Sequence, residues 1–220
     1  MMGYLKGGAF LIQETDAKDI FIRSEFGEDQ KMMLSATEDF NEREIRPVLM
    51  RFEEKDYALV ESLMRKAGEL GLLGINVPEK YEGLGMGFNT GMLICEEISS
   101  LTGSIATAFG AHTGIGTLPI LLYGSEEQKL HYLPKIASGE WMSCYNLTEP
   151  DAGSDANSGK TKAVLTEDGE HYEITGQKIW ISNACLLYTS PSPRDVEESG
   201  FAACGWKKKG GGGGGGGGGG

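Results

Sequence analysis

Thr148-Glu-Pro-Asp-Ala-Gly-Ser-Asp155 and, further on, Gln177-Lys-Ile-Trp-Ile-Ser-Asn183 decide how this chain is read. The first stretch offers a hydroxyl at Thr148 and small residues at Ala152 and Gly153 that let backbone approach a ligand closely. It also sets Ser154 at a turn where N–H groups can meet a phosphate. In the second, Trp180 and Ser182 are two apart. On a strand they share a face, so an indole π-surface and a hydroxyl stand side by side, which suits stacking on a flat heteroaromatic ring and bonding its edge. Each stretch alone has a plainer reading: a strand-ending loop, and a tryptophan packed on a neighbouring sheet beside a solvent-facing serine.

Around these stretches the apolar residues come in short runs, 142–147, 162–165, 172–174 and 178–181, separated by Gly153, Gly159, Asp168-Gly169 and Gly176. That is strand and turn punctuation, and it places the start of a β-domain over 141–184. Upstream the period changes. Met32, Met33, Ala36, Phe40, Ile45, Val48 and Leu49 recur at helical spacing, with Pro47 placed to bend the helix. Asp56 can cap a second helix carrying Val60, Leu63, Met64, Ala67 and Leu70, and Gly71 suits its stop. A loop follows over 71–89; its Gly83-Leu-Gly-Met-Gly87 lacks the spacing and the preceding strand of a phosphate loop. Helical patterning returns over 90–99 and 103–123, and Ser125-Glu-Glu-Gln128 is a capping box for one more helix. The expected fold class is therefore α+β. Residues 1–26 form an extended arm, 27–140 an all-α helical bundle, and 141–184 the truncated start of a β-domain.

The chain has 20 basic and 32 acidic residues and a formal net charge of −12, so nucleic acid is not an expected partner. Cys95 and Cys144, with no C-x-x-C pair and no signal peptide, fit a reducing cytoplasm. No apolar run is read as long enough to span a bilayer. The histidines, His112, His131 and His171, are scattered, so no metal site is expected. His112 reads as a packing residue and Cys144 as a small buried hydrophobe without an activating cation.

Taken together, the two opening stretches resemble the flavin-binding signature of the acyl-CoA dehydrogenases. Supporting stretches are Lys66-Ala-Gly-Glu-Leu-Gly-Leu-Leu-Gly74, Pro78-Glu-Lys-Tyr-Glu-Gly-Leu-Gly85, Phe109-Gly-Ala-His-Thr-Gly-Ile-Gly116 and Tyr132-Leu-Pro-Lys-Ile-Ala-Ser-Gly-Glu140, which look most like the very-long-chain branch in bacteria. The resemblance implies a cytoplasmic FAD enzyme that dehydrogenates long-chain acyl-CoA to trans-2-enoyl-CoA, passes electrons to electron-transfer flavoprotein and assembles as a homo-oligomer. It further implies FAD binding by Tyr145, Leu147, Thr148, Gly153, Ser154, Trp180, Ile181 and Ser182. Ser154 is shared with the acyl-CoA, and Gly110, Gly114 and Gly116 border the acyl tail. The family's catalytic base is a glutamate of a C-terminal helical domain, expected beyond residue 184, and Glu149 belongs to the binding loop. An acyl-CoA oxidase shares these motifs; a non-catalytic helical assembly module would keep the helix stripes without needing Thr148, Ser154, Trp180 and Ser182 together.

Residues 185–220 are read as non-native. Cys185-Leu-Leu-Tyr-Thr-Ser-Pro-Ser-Pro-Arg-Asp195 looks like a translated sequencing adapter, and Gly210 to Gly220 is an uninterrupted glycine run. The other reading is a flexible low-complexity linker; neither gives the segment chemistry. With the base outside it, the chain as written is expected to be inactive.

Overall fold

The computed structural model describes residues 7–169, 171–187 and the backbone of 206–207. Short 3-10 turns run through the first described residues, and Arg23 ties them to Glu96 of the bundle at 2.8 Å. Helix α1, Glu28–Phe40, carries Glu28 and Asp29 in its first turn, where negative charge meets the positive end of the helix dipole. It continues through a π-turn, Asn41–Ile45, and a 3-10 turn, Arg46–Val48, into α2, Leu49–Glu53. Pro47 lies in the 3-10 turn, where its missing N–H interrupts the α ladder, so the expected long helix is broken here into π, 3-10 and α pieces. The buried Asn41 donates to the Glu97 carbonyl at 2.7 Å and ties the π-turn to α4, Phe88–Ile98.

Between these lies α3, Tyr57–Glu69. Asp56 accepts from the Leu59 N–H at 3.0 Å as its cap, and Gly71, at φ 76°, takes the left-handed conformation that ends the helical path. Its stripe of Leu63, Met64 and Ala67 is buried against Phe40, Ile94 and Phe109. Full burial of Leu63 or Met64 contributes about 1.5–3 kcal/mol each relative to exposure, and the smaller Ala67 less. The loop that follows is itself core: Leu72, Leu73, Ile75, Val77 and Tyr81 are buried although glycine and Pro78 break regular structure around them.

Helix α5, Gly103–Gly110, passes through a second π-turn, Ala111–Gly116, into α6, Leu118–Tyr123. As one rod, Gly103–Tyr123 has 21 residues and is long and apolar enough to cross a membrane by length and composition. This corrects the sequence reading of no such run: its glycines, alanines and threonines do not look like a hydrophobic block, yet they add little polarity. Ile105, Ala108, Phe109, Ala111, His112 and Thr117 of this rod are buried within the bundle, whereas Ile115, Leu122 and Tyr123 are exposed. Helix α7, Glu126–Ala137, begins at the expected capping box, with Ser125 Oγ accepting from the Gln128 N–H at 3.2 Å and Gln128 Oε1 accepting from the Ser125 N–H at 2.9 Å.

The α+β class holds: the bundle is followed by a small sheet. Strand β1, Lys162–Leu165, pairs antiparallel with β2, Tyr172–Thr175, Lys162 opposite Thr175 and Leu165 opposite Tyr172. A third strand, β3, Trp206–Lys207, lies parallel to β2. Residues 142–147 and 178–181 are not strands, contrary to the apolar-run reading. They run beside each other through isolated backbone and side-chain bonds rather than a ladder, and Trp180 at φ 57° breaks the pleat. Residues 184–187 form a last helical turn, α8, Ala184–Leu187, whose Leu186 is buried in the bundle core.

Candidate functional site

The Thr148–Asp155 stretch folds into a tight turn. Glu149 and Ala152 exchange both backbone hydrogen bonds at 3.1 Å, leaving Pro150 and Asp151 at the tip and Ala152 buried beneath. Four bonds join this region to the Gln177–Asn183 stretch in antiparallel order. Ile179 N–H donates to the Thr148 carbonyl at 3.0 Å, and Lys178 Nζ donates to the Leu147 carbonyl at 3.0 Å and to Glu149 Oε1 at 2.8 Å. At the far end Asn183 Nδ2 donates to the Ser143 carbonyl at 3.2 Å. Tyr145, Leu147 and Thr148 on one arm, and Trp180, Ile181 and Ser182 on the other, therefore lie on one ribbon between these ties. The sequence pairing of the two stretches is realised in space, although Trp180 and Ser182 do not share a strand face.

Apolar surface is unusually open here. Trp180 is 73% exposed, and Tyr145 and Leu147 are exposed as well. A tryptophan at positive φ is a strained backbone for a bulky residue, and such strain collects at functional positions. Ser154 and Gly153 are exposed at the turn, and a Cβ added at Gly153 would meet nothing within 4 Å. The hydroxyls of Thr148, Ser154 and Ser182 make no hydrogen bond to any described residue. An exposed indole, hydroxyls without partners among the described residues and open room at a glycine fit a ring system with polar edges and a phosphate tail.

Glu149 sits behind this surface and is buried. It accepts from Lys178 Nζ, from the Lys160 N–H at 2.5 Å and from the Thr161 N–H at 3.1 Å. The Lys178 ammonium, with the bonds from Thr161 and Lys160, pulls its carboxyl down to about 2. So held, Glu149 anchors the turn and is a poor proton acceptor. Its sequence neighbours gave no sign of this, because Lys178 is 29 positions away. Burial pushes the Cys144 thiol up to about 11, and its Sγ contacts Asn146 Oδ1 at 3.4 Å, so it is no nucleophile.

His112 is fully buried. Its Nε2 lies 3.0 Å from the Ile136 carbonyl, which can only accept, and its Nδ1 takes the Ser143 N–H at 3.1 Å. Those partners require the neutral Nε2–H tautomer, and burial pushes the ring down to about 4. The glycines of the same rod divide. A Cβ at Gly110 or Gly114 would meet nothing within 4 Å, whereas one at the buried Gly116 would lie 2.8 Å from Ser143 Cβ. Gly116 is thus a close-packing glycine, unlike the other two. Among the described residues no group of three or more His, Cys, Asp and Glu is placed to hold a metal ion.

Residues 27–140 match the family model of the acyl-CoA dehydrogenase N-terminal domain, and residues 144–190 that of the acyl-CoA dehydrogenase middle domain. A probable acyl-CoA dehydrogenase of Bacillus subtilis is 47% identical over 181 residues, covering 82% of this chain and 30% of that protein. Mitochondrial isovaleryl-CoA dehydrogenase of Bos taurus is 36% identical over 71% of this chain and 36% of its own length. Among solved structures, an acyl-CoA dehydrogenase complexed with FAD from Bacillus anthracis superposes with a TM-score of 0.77 at 45% identity, covering 82% of this chain and 31% of that one. The chain therefore spans about a third of the length of these relatives.

Proposed function

The chain belongs to the acyl-CoA dehydrogenase family, and on that premise we propose that it supplies flavin-facing and acyl-facing surfaces of an FAD-dependent enzyme converting acyl-CoA thioesters to trans-2-enoyl-CoA. The observation that carries this reading is the ribbon itself: two stretches far apart in sequence meet along one ribbon that offers an exposed indole and hydroxyls without hydrogen-bond partners among the described residues. A bound FAD would supply the acceptor for the hydride that leaves the β-carbon. Trp180 gives the ring a face to stack on, Thr148 and Ser182 give hydroxyls for its polar edge, and Tyr145, Leu147 and Ile181 exclude water beside it. Gly153 and Ser154 border the phosphates, with Ser154 also facing the acyl-CoA. Glu149 holds the turn and leaves removal of the α-proton to another carboxylate, since a carboxyl at about 2 accepts a proton weakly near neutral pH.

For the acyl tail we read long chains. The named relatives include isovaleryl-CoA dehydrogenase, so this part of the reading rests on the open space beside Gly110 and Gly114. Electron-transfer flavoprotein as the acceptor, a homo-oligomeric assembly and a cytoplasmic setting belong to the same proposal. Anaerobic mixing of the full-length protein, loaded with FAD, with palmitoyl-CoA should bleach the flavin absorbance and form the 2-enoyl product, with little oxygen uptake in air. A flavin that stays oxidised with palmitoyl-CoA and butyryl-CoA alike would overturn the dehydrogenase reading; rapid oxygen uptake would turn it to an oxidase.

A further inference from the structure

Behind the flavin-facing ribbon lies a buried polar group that neither sequence motif predicts. Ser143 and Asn183 begin and end the ribbon, and both are buried, as are His112 and Thr117 of the rod Gly103–Tyr123. Asn183 donates twice through one amide nitrogen, to the Ala108 carbonyl of α5 at 2.9 Å and to the Ser143 carbonyl of the opposite arm at 3.2 Å. Ser143 is tied in turn to the π-turn: its N–H donates to His112 Nδ1, and its Oγ donates to the His112 carbonyl at 3.0 Å. Thr117 Oγ1 donates to that same carbonyl at 2.6 Å, and His112 Nε2 reaches α7 at the Ile136 carbonyl. Two arms of the ribbon and two helices thus converge on one set of hydrogen bonds closed to water.

We propose that Asn183 and His112 are positioning residues that hold both arms of the ribbon against the rod and so set the geometry of the flavin-facing edge from behind. The inference rests on the flavin reading above. Its physical ground is that the arms between the two ends have no ladder of their own. Toward the turn they are fixed by Glu149 and Lys178, and toward the bundle by Asn183 and Ser143. Removing a partner from a buried set of this kind leaves other groups unsatisfied, so the arms shift or open to water rather than stay in place. Asn183 also stands at φ 68°, a conformation that asparagine and aspartate tolerate better than most residues. The Asn183→Asp substitution therefore keeps the backbone preference while replacing the donor with an oxygen that faces two carbonyls.

The full-length protein is compared with Asn183→Asp and with Ser143→Ala, which keeps the N–H bond to His112 and loses only the hydroxyl. Amide hydrogen exchange of the FAD-free protein and the FAD dissociation constant are measured well below the unfolding temperature. Exchange at Ile179, whose N–H bonds the opposite arm, should quicken about tenfold or more in Asn183→Asp while β1 and β2 keep their protection, and FAD should bind about tenfold more weakly. Ser143→Ala should shift both readouts the same way by less, and it decides the matter alone if Asn183→Asp fails to fold. Unchanged FAD affinity in a variant whose ribbon exchanges faster, or unchanged exchange at Ile179, would overturn the proposal while leaving the flavin reading intact. An unsubstituted protein that binds no FAD would remove both.

Discussion

Trp180 joins two features that a purely structural tryptophan seldom combines: wide exposure of a large ring and a positive φ. Both are costs in a free-standing surface loop and become useful where a ligand covers the ring. Trp180→Ala in the full-length protein should therefore lower FAD affinity about tenfold, roughly 1.4 kcal/mol, with little loss of thermal stability once FAD is removed. Flavin content that matches the unsubstituted protein after gel filtration would count against stacking. At this scale the sequence pointed, by residue type alone, to Thr148, Trp180 and Ser182 as candidates, and the strand face it expected Trp180 and Ser182 to share is not formed. The sequence was silent where the role is made by a distant partner. Glu149 looked like any loop carboxylate until Lys178 closed on it, and Asn183 looked like the end of a motif until its amide reached Ala108, 75 positions earlier.

Among the elements, the rod Gly103–Tyr123 shows how much one helix can carry. Its small residues were legible as a group, but their separate roles depend on what lies opposite each, which spacing along a helix does not reveal. Gly116 faces Ser143 closely, whereas Gly110 and Gly114 face open space. Their substitutions should part accordingly. Gly114→Leu should lower kcat/KM for palmitoyl-CoA about tenfold and leave butyryl-CoA within about twofold, because a side chain there fills volume that only distal methylenes would reach. Gly116→Leu should instead destabilise the fold by about 1–3 kcal/mol through overpacking and lower activity on both substrates together. Equal losses for Gly114→Leu across chain length would remove the long-chain reading. The strand expectations failed for a related reason: 142–147 and 178–181 have apolar patterning suited to a sheet, but a strand exists only where a neighbour supplies its ladder. The positive φ at Trp180 and the side-chain ties from Lys178 and Asn183 take that place.

Over the whole molecule, the acid range separates forces that neutral pH hides. The net charge of −12 means that repulsion among carboxylates opposes the fold near neutrality and eases as they protonate. His112 works in the other direction. Its folded value is about 4 against an ordinary 6.5, because burial disfavours the charged ring, so below 6.5 the unfolded chain takes up a proton that the folded one refuses. Its contribution is fully present above pH 6.5 and is lost as pH falls from there to about 4. The span corresponds to about 3 kcal/mol, a large share of the 5–15 kcal/mol that usually holds a domain together. Glu149 adds a lower window with the same sign: its carboxyl is held at about 2 against 4.5, so stability present above 4.5 is lost as pH falls from there toward 2. The expected outcome is a thermal midpoint that drops between pH 6.5 and 4.5, before Glu149 begins to protonate. His112→Gln should be less stable than the unsubstituted protein at pH 7.5, and the gap should narrow steadily as pH falls through that window, since glutamine has no proton to refuse. Parallel curves with a constant gap would show that the buried ring does not control the acid side of the fold, whatever the carboxylates do.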